Sequence, residues 1–174
     1  MKLLIIGGVA AGTKVAAKFK RLDRSAEVTL ITKDRDISYA GCGLPYYVGG
    51  SIAERSDLIV NTPARFAALT GATVLTGREA VALNAQAQTV TATNLETGEQ
   101  ETYAYDACVI AVGASAVVPP LPGVKLPGVF KMRTPDDATA MRSYVQDSTH
   151  SVKKAVVVGA GMIGLEAAEN LQAQ

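Results

Sequence analysis

The sequence contains one cysteine whose surroundings suggest chemistry. Cys42 lies between two glycines in residues 37–50, "ISYAGCGLPYYVGG", just ahead of an apolar and aromatic segment. A Cys-x-x-Cys pair would indicate zinc or an internal disulfide, but this stretch holds a single sulfur. A helix beginning near Leu44 would direct its N-terminus at that sulfur and favour the thiolate. We therefore expect Cys42 to be reactive, and we expect Cys108, inside the apolar run "ACVIAVG", to be a core residue.

Two glycine turns share one pattern. Residues 2–12, "KLLIIGGVAAG", and residues 154–164, "KAVVVGAGMIG", both read Lys, four apolar residues, Gly, and another Gly five positions on. The spacing predicts a buried parallel strand, a tight turn and an Ala-rich helix whose N-terminus can bind a pyrophosphate. The second turn has all three glycines of the dinucleotide-binding pattern, whereas the first has Val9 at the middle position. The repetition predicts two dinucleotide sites.

Hydrophobic periodicity and turn residues predict the elements around these turns. We expect a helix over residues 11–22, a strand over 28–31, a short helix with Pro63 in its first turn, and β-structure over 73–112 with a hairpin turn at 96–99. A proline-rich crossover then precedes a helix capped by Thr134.

The predicted fold is α/β, in three domains or segments. Residues 1–115 form a three-layer Rossmann-like domain, with a parallel sheet and a β-meander insertion. Residues 116–150 are a crossover linker with a helix, and residues 151–174 begin a second Rossmann unit. Because a complete unit needs another strand with a ribose-binding acid, we expect an N-terminal fragment of a longer protein.

Composition excludes several classes of protein. The chain is 48% hydrophobic and 19% charged, which is ordinary for a globular protein. Its 17 basic and 16 acidic residues give no support for nucleic-acid binding, and no apolar run approaches the length of a membrane span. Two cysteines without framework spacing suit a reducing cytoplasm.

The first predicted helix carries a basic stripe. Lys14, Lys18 and Arg21 share one face. They form either a solvated surface or a binding site for a phosphorylated substrate.

Four ordered motifs carry a family resemblance. The first glycine turn, "KDRDISYAGCGLPYYVGG", "YDACVIAVGASAVVPPLPG" and "VVVGAGMIGLEAAENL" resemble the FAD- and NAD(P)H-dependent pyridine nucleotide-disulfide oxidoreductases. The match is to the single-cysteine branch, which contains coenzyme A disulfide reductases, NADH oxidases and NADH peroxidases. The resemblance implies FAD on the first unit, NADH or NADPH on the second, and a homodimer in the full-length protein.

The resemblance also gives Cys42 a catalytic role. The family's disulfide reductases proper carry a second cysteine five positions later, where this chain has Tyr47. The oxidised form of Cys42 is therefore expected to be a mixed disulfide with a small thiol, or a sulfenic acid. The mixed disulfide implies a reductase. Such an enzyme passes electrons from NAD(P)H through FAD to Cys42 and on to coenzyme A disulfide or a similar small disulfide.

Two alternative functions are also consistent with the sequence. A Cys42 sulfenate would imply an NADH oxidase or peroxidase, although these typically carry a histidine in the first turn, where this chain has Ala10 and Ala11. The second alternative is that the chain is a non-catalytic flavin-binding fragment.

Site residues follow from the resemblance position by position. The implied cofactor contacts are Gly7, Gly8, Val9, Ala10, Ala11, Gly12, Thr32, Lys33, Cys42, Ala80, Ala111, Val112, Gly113, Arg133, Gly159, Gly161, Met162, Ile163, Gly164 and Glu166. The implied coenzyme A contacts are Arg21 and Ser38, with Lys14 and Lys18 at further positions whose residue types have changed.

Two positions depart from the family pattern. Gly41 replaces the asparagine that usually precedes the cysteine. Thr32 replaces the glutamate that usually holds the ribose of FAD, and Asp34 could substitute for that glutamate if the loop bends. No metal ligands are expected.

Overall fold

The computed structural model describes residues 1–172, which divide into two compact units. The first unit comprises residues 1–39 and 61–113, and the second comprises residues 40–60 and those from 114 onward. In chain order the elements are β1 (Lys2–Ile6), α1 (Ala10–Leu22), β2 (Glu27–Ile31), α2 (Leu44–Val48), α3 (Pro63–Thr70), β3 (Thr73–Leu75), β4 (Arg78–Asn84), β5 (Thr89–Asn94), β6 (Gln100–Ala104), β7 (Ala107–Ile110), α4 (Pro135–Gln146) and α5 (Met162–Gln172).

A four-stranded parallel sheet organises the first unit. Its strand order is β3-β2-β1-β7, and β1 is paired on both sides. Leu3 and Ile5 pack on one face with residues of α1 and α3, whereas Leu4 and Ile6 pack on the other with Val90 of the meander. A central strand buried on both faces explains the continuous apolar run of β1. The predicted α/β fold, with a parallel sheet and a β-meander, is confirmed.

The meander is the antiparallel sheet β4-β5-β6. Its predicted hairpin turn at residues 96–99 is confirmed. Gly98 has φ +78° and donates its N–H to the carbonyl of Asn94, whose side-chain oxygen accepts from the N–H of Glu96. The positive φ explains the choice of glycine at this turn.

The second unit is built on helices. Leu44, Val48 and Leu58 are buried together with Ala138 of α4, and Leu171 of α5 packs against them. The predicted cap of α4 is confirmed, since the Thr134 hydroxyl accepts from the N–H of Asp137 and the Asp137 carboxylate accepts from the N–H of Thr134. This reciprocal pair fixes the start of the helix.

The strand predicted before the second glycine turn is wrong. Residues 154–158 have no strand structure, and Val156 and Val158 are each 88% exposed. A strand needs a neighbour to pair its backbone groups, and the second unit has no other strand among the residues that the structure describes. The first copy differs because β2 and β7 flank β1.

Within residues 1–172, no helix combines the length and the apolar character that crossing a bilayer requires.

Candidate functional site

The first glycine turn joins β1 to α1. Gly7 has φ +111°, and a Cβ there would lie 2.2 Å from the carbonyl oxygen of Ala111. A Cβ on Gly12 would lie 1.8 Å from the carbonyl oxygen of Gly7. Both glycines are therefore required by close backbone packing, one between the turn and the chain after β7, the other between the turn and α1.

The N-terminus of α1 carries no side-chain cap. Val9 occupies the N-cap position without a side-chain hydrogen bond, and the first turn contains no acidic residue. Ala10 and Ala11 are exposed. A helix of 13 residues that begins in this way has free N–H groups at its N-terminus. An anionic group such as a pyrophosphate can accept hydrogen bonds from them and is attracted by the positive end of the helix dipole.

Other predicted cofactor residues of this unit follow neighbouring parallel strands. Thr32 and Lys33 come directly after β2, and Ala111, Val112 and Gly113 come directly after β7, on either side of β1. The carboxyl ends of parallel strands share one edge of the sheet, which is where ligands of such folds bind. Ala80 lies on β4, beside a register shift between residues 80 and 82.

Backbone hydrogen bonds tie the end of β2 to the strands that follow. The Thr32 N–H donates to the carbonyl of Leu75 at 3.0 Å, and the Thr32 carbonyl accepts from the N–H of Arg78 at 2.9 Å. The Lys33 ammonium lies 3.6 Å from the Glu79 carboxylate. Sequence reasoning missed Glu79, because its contact with Lys33 depends on a pairing between distant segments that no local pattern signals.

Cys42 belongs to the second unit. It is exposed and lies within a 3-10 turn, Gly41–Gly43, which runs directly into α2 at Leu44. The predicted helix start is correct, but α2 has only 5 residues and aligns few peptide dipoles. The accessibility of the sulfur is therefore the main feature that the fold contributes to its reactivity.

Tyr47 occupies the position of the absent second cysteine. Its side chain is buried, and the guanidinium carbon of Arg142 lies 4.5 Å from the centre of its ring. Arg142 also donates hydrogen bonds to the carbonyls of Ile52 and Ala53. Tyr47 thus serves packing in this unit, and Arg142 is a further contact that the sequence alone did not reveal.

Cys108 lies in a different environment. It is part of β7 and packs, partly buried, against the cluster that contains Leu4 and Val90. Burial raises the pKa of the Cys108 thiol, which reduces its thiolate fraction and hence its reactivity.

The predicted substrate contacts are all in the first unit. Lys14, Lys18 and Arg21 are exposed along α1. Ser38 has φ +49° and donates its N–H to the carbonyl of Gly8 at 2.9 Å, so it adjoins the glycine turn. The neighbouring Lys20 is used differently, since its ammonium donates to the carbonyls of Arg24 and Ala26.

The second glycine turn repeats part of the first. Gly159 has φ +113°, and a Cβ on Gly164 would lie 2.0 Å from the Gly159 carbonyl oxygen. Gly161 precedes α5, which contains Met162, Ile163 and Glu166. The close approach of Gly164 to Gly159 corresponds to that of Gly12 to Gly7, although the strand before the turn is absent.

Arg133 is held at the start of α4. Its guanidinium donates to the carbonyl of Ala114 at 2.8 Å, and its N–H donates to the Asp137 carboxylate. Among residues 1–172, no group of three or more His, Cys, Asp or Glu side chains has the arrangement of a metal site.

Comparison with known proteins gives consistent matches. The family model described as pyridine nucleotide-disulphide oxidoreductase matches residues 1–174. The chain is 39% identical to the coenzyme A disulfide reductase of Staphylococcus haemolyticus over 173 residues, which is 99% of this chain and 38% of that protein. The chain therefore spans well under half the length of this curated relative.

Two solved structures share the fold. Reduced CoADR-RHD of Bacillus anthracis has a TM-score of 0.95 and 35% identity, over 99% of this chain and 31% of the other. The NAD-dependent persulfide reductase of A. fulgidus has a TM-score of 0.93 and 35% identity, over 99% of this chain and 32% of the other.

Proposed function

This chain belongs to the pyridine nucleotide-disulphide oxidoreductase family, and on that premise we propose that it carries the flavin site and the reactive thiol of an NAD(P)H-dependent reductase of coenzyme A disulfide or a similar small disulfide. The observation that carries the proposal is the exposed, lone Cys42. Tyr47 is buried where the family's disulfide reductases proper have a second cysteine. In a disulfide reductase with this arrangement, the second sulfur comes from the substrate.

FAD is the proposed cofactor of the first unit. Residues 7–12 fit its pyrophosphate, because the backbone approaches closely at both outer glycines and the N-terminus of α1 has no side-chain cap. Thr32 and Lys33 would bind the ribose end, with further contacts from Ala80 and residues 111–113. When bound, FAD supplies the two-electron chemistry that links a nicotinamide donor to a sulfur acceptor.

NADH or NADPH is the proposed electron donor, held by the second glycine turn. Gly159, Gly161 and Gly164 fit a pyrophosphate for the same reason as the first turn, since Gly164 approaches the backbone of Gly159 as Gly12 approaches that of Gly7. Met162, Ile163 and Glu166 of α5 would complete this contact.

The proposed chemistry of Cys42 is thiol–disulfide exchange. The Cys42 thiolate attacks one sulfur of the substrate disulfide, whose sulfur–sulfur bond breaks, and the first thiol leaves as a thiolate that takes a proton from water. Cys42 is then joined to the second half of the substrate in a mixed disulfide. Two electrons from NAD(P)H reduce that bond, which restores the Cys42 thiolate and releases the second thiol. The sum is one disulfide, one NAD(P)H and one proton converted into two thiols and NAD(P)⁺.

The basic face of α1 supports a phosphorylated thiol such as coenzyme A. Lys14, Lys18 and Arg21 are exposed, and Ser38 adjoins the glycine turn. Exposed cations attract phosphates with a strength that falls as salt rises. The same residues are the proposed contacts of the substrate's phosphate groups.

We place the protein in the cytoplasm, because its two cysteines lack the spacing of a disulfide framework and suit a reducing compartment. A homodimer is the proposed assembly of the full-length protein.

The test is NAD(P)H oxidation by the protein expressed from its complete reading frame. With coenzyme A disulfide and without oxygen, we expect NAD(P)H consumption and two free thiols for each NAD(P)H. Cys42→Ser should abolish the disulfide-dependent consumption of NAD(P)H, and the matched control Cys108→Ser should retain it. If the wild-type protein ignores the disulfide and consumes oxygen or peroxide instead, the Cys42 sulfenate chemistry of an oxidase or peroxidase replaces the proposal.

A further inference from the structure

The end of β2 lacks the charged group that dinucleotide binding usually places there. In Rossmann units an acidic residue at this point accepts a hydrogen bond from a ribose hydroxyl. Thr32 stands here instead, is neutral, and is 5% exposed. A hydroxyl acceptor forms a weaker bond than a carboxylate.

We infer that Glu79 supplies the missing carboxylate to the ribose of the FAD adenosine. The inference rests on the proposed function, because it assumes that FAD is the ligand of the first unit. It concerns a residue on β4, outside the glycine turn and outside the predicted cofactor contacts.

Backbone pairing brings Glu79 to the end of β2. Arg78, the residue before it, donates its N–H to the Thr32 carbonyl at 2.9 Å. The Glu79 carboxylate lies 3.6 Å from the Lys33 ammonium, one residue beyond Thr32. A carboxylate from β4 thus contacts the side chain of Lys33, the residue that follows the position at which the acid is expected.

The Glu79 carboxylate is also available to a ligand. Its side chain is 45% exposed and that of Lys33 is 57% exposed, so their ion pair is a weak surface contact that leaves acceptor positions open. Glu101 of the same meander differs, because it already accepts from Arg78, Asn94 and Tyr103. The register shift after Ala80 further marks this part of β4 as irregular, as strands often are beside binding sites.

The experiment is a titration of flavin-free protein, expressed from its complete reading frame, with FAD. We expect Glu79→Gln to raise the Kd about tenfold, the size of one charge-assisted hydrogen bond. Asp34→Asn removes the rival carboxylate that the sequence alone offers for this role, and it should leave the Kd unchanged. In a Thr32→Glu background, Glu79→Gln should change the Kd by less than about twofold, because the usual acid is then restored.

A thermal unfolding curve of the flavin-free Glu79→Gln variant should match that of the wild type, which separates binding from folding. An unchanged FAD affinity of Glu79→Gln, or a loss in Asp34→Asn alone, overturns the inference while the proposed function stands. The FAD affinities of Glu79→Gln and Asp34→Asn test the role of Glu79 even if Thr32→Glu does not fold. Absence of FAD binding by the wild-type protein overturns the proposed function and, with it, this inference.

Discussion

The two cysteines differ in their exposure and in the element that holds them. Cys42 is exposed in a turn, whereas Cys108 is partly buried in β7 and its pKa is raised by burial. Because the thiolate is the nucleophile, a raised pKa and restricted access both slow alkylation. We expect iodoacetamide to modify Cys42 at neutral pH well before Cys108, as followed by peptide mass mapping. Faster labelling of Cys108 in the folded protein would contradict this assignment.

Gly41 and Gly12 differ in whether the surrounding structure requires a glycine. A Cβ on Gly41 would meet no atom within 4 Å, whereas a Cβ on Gly12 would lie 1.8 Å from the Gly7 carbonyl oxygen. Gly41→Asn, which introduces the residue usual in related enzymes, should therefore change the free energy of unfolding by less than about 0.5 kcal/mol. Gly12→Ala should cost more than about 2 kcal/mol, because backbone must move. Denaturant unfolding of both variants checks this, and equal losses would contradict it.

Within the meander, a polar network joins the strands. The Glu101 carboxylate accepts hydrogen bonds from the Tyr103 hydroxyl, from Arg78 at 3.3 Å and from Asn94 at 3.0 Å. These bonds, that of Tyr103 foremost, lower the pKa of Glu101. Burial and then the bond to Glu101 raise the pKa of Tyr103.

This network makes part of the stability depend on pH. Since the folded pKa of Glu101 lies below the unfolded value of about 4.3, its contribution is present above that value and is lost as pH falls through the folded pKa. Glu101→Gln should therefore lose stability at pH 7 and show a smaller further loss between about pH 5 and pH 3 than the wild type. Thermal midpoints measured across that range test the prediction, and parallel curves for the two proteins would refute it.

Local signals explain which elements the sequence could predict. The turn at residues 96–99 is specified by Gly98, and the start of α4 by Thr134 and Asp137, all within a few residues of one another. The absence of a strand at residues 154–158 could not be predicted from the apolar run, because whether such a run forms a strand depends on a neighbouring strand elsewhere in the fold. The pair Lys33 and Glu79, and the contact of Arg142 with Tyr47, depend likewise on distant segments meeting.

At the scale of the whole molecule, the chain spans 38% of the length of its S. haemolyticus relative. The second glycine turn is formed, but the run before it is exposed and belongs to no sheet. We therefore expect a protein of residues 1–174 alone to show negligible flavin reduction by NADH or NADPH, measured by the loss of flavin absorbance. Reduction at ordinary enzyme rates would show that these residues suffice for the donor site.

In the proposed reaction, Cys42 receives half of a small disulfide substrate. The most direct measurement is the intact mass of the reduced protein after treatment with coenzyme A disulfide without oxygen, followed by peptide mapping. We predict one coenzyme A adduct on Cys42, none on Cys108, and complete release on reduction. An unmodified Cys42 under conditions in which the protein remains folded would show that Cys42 does not accept the substrate thiol.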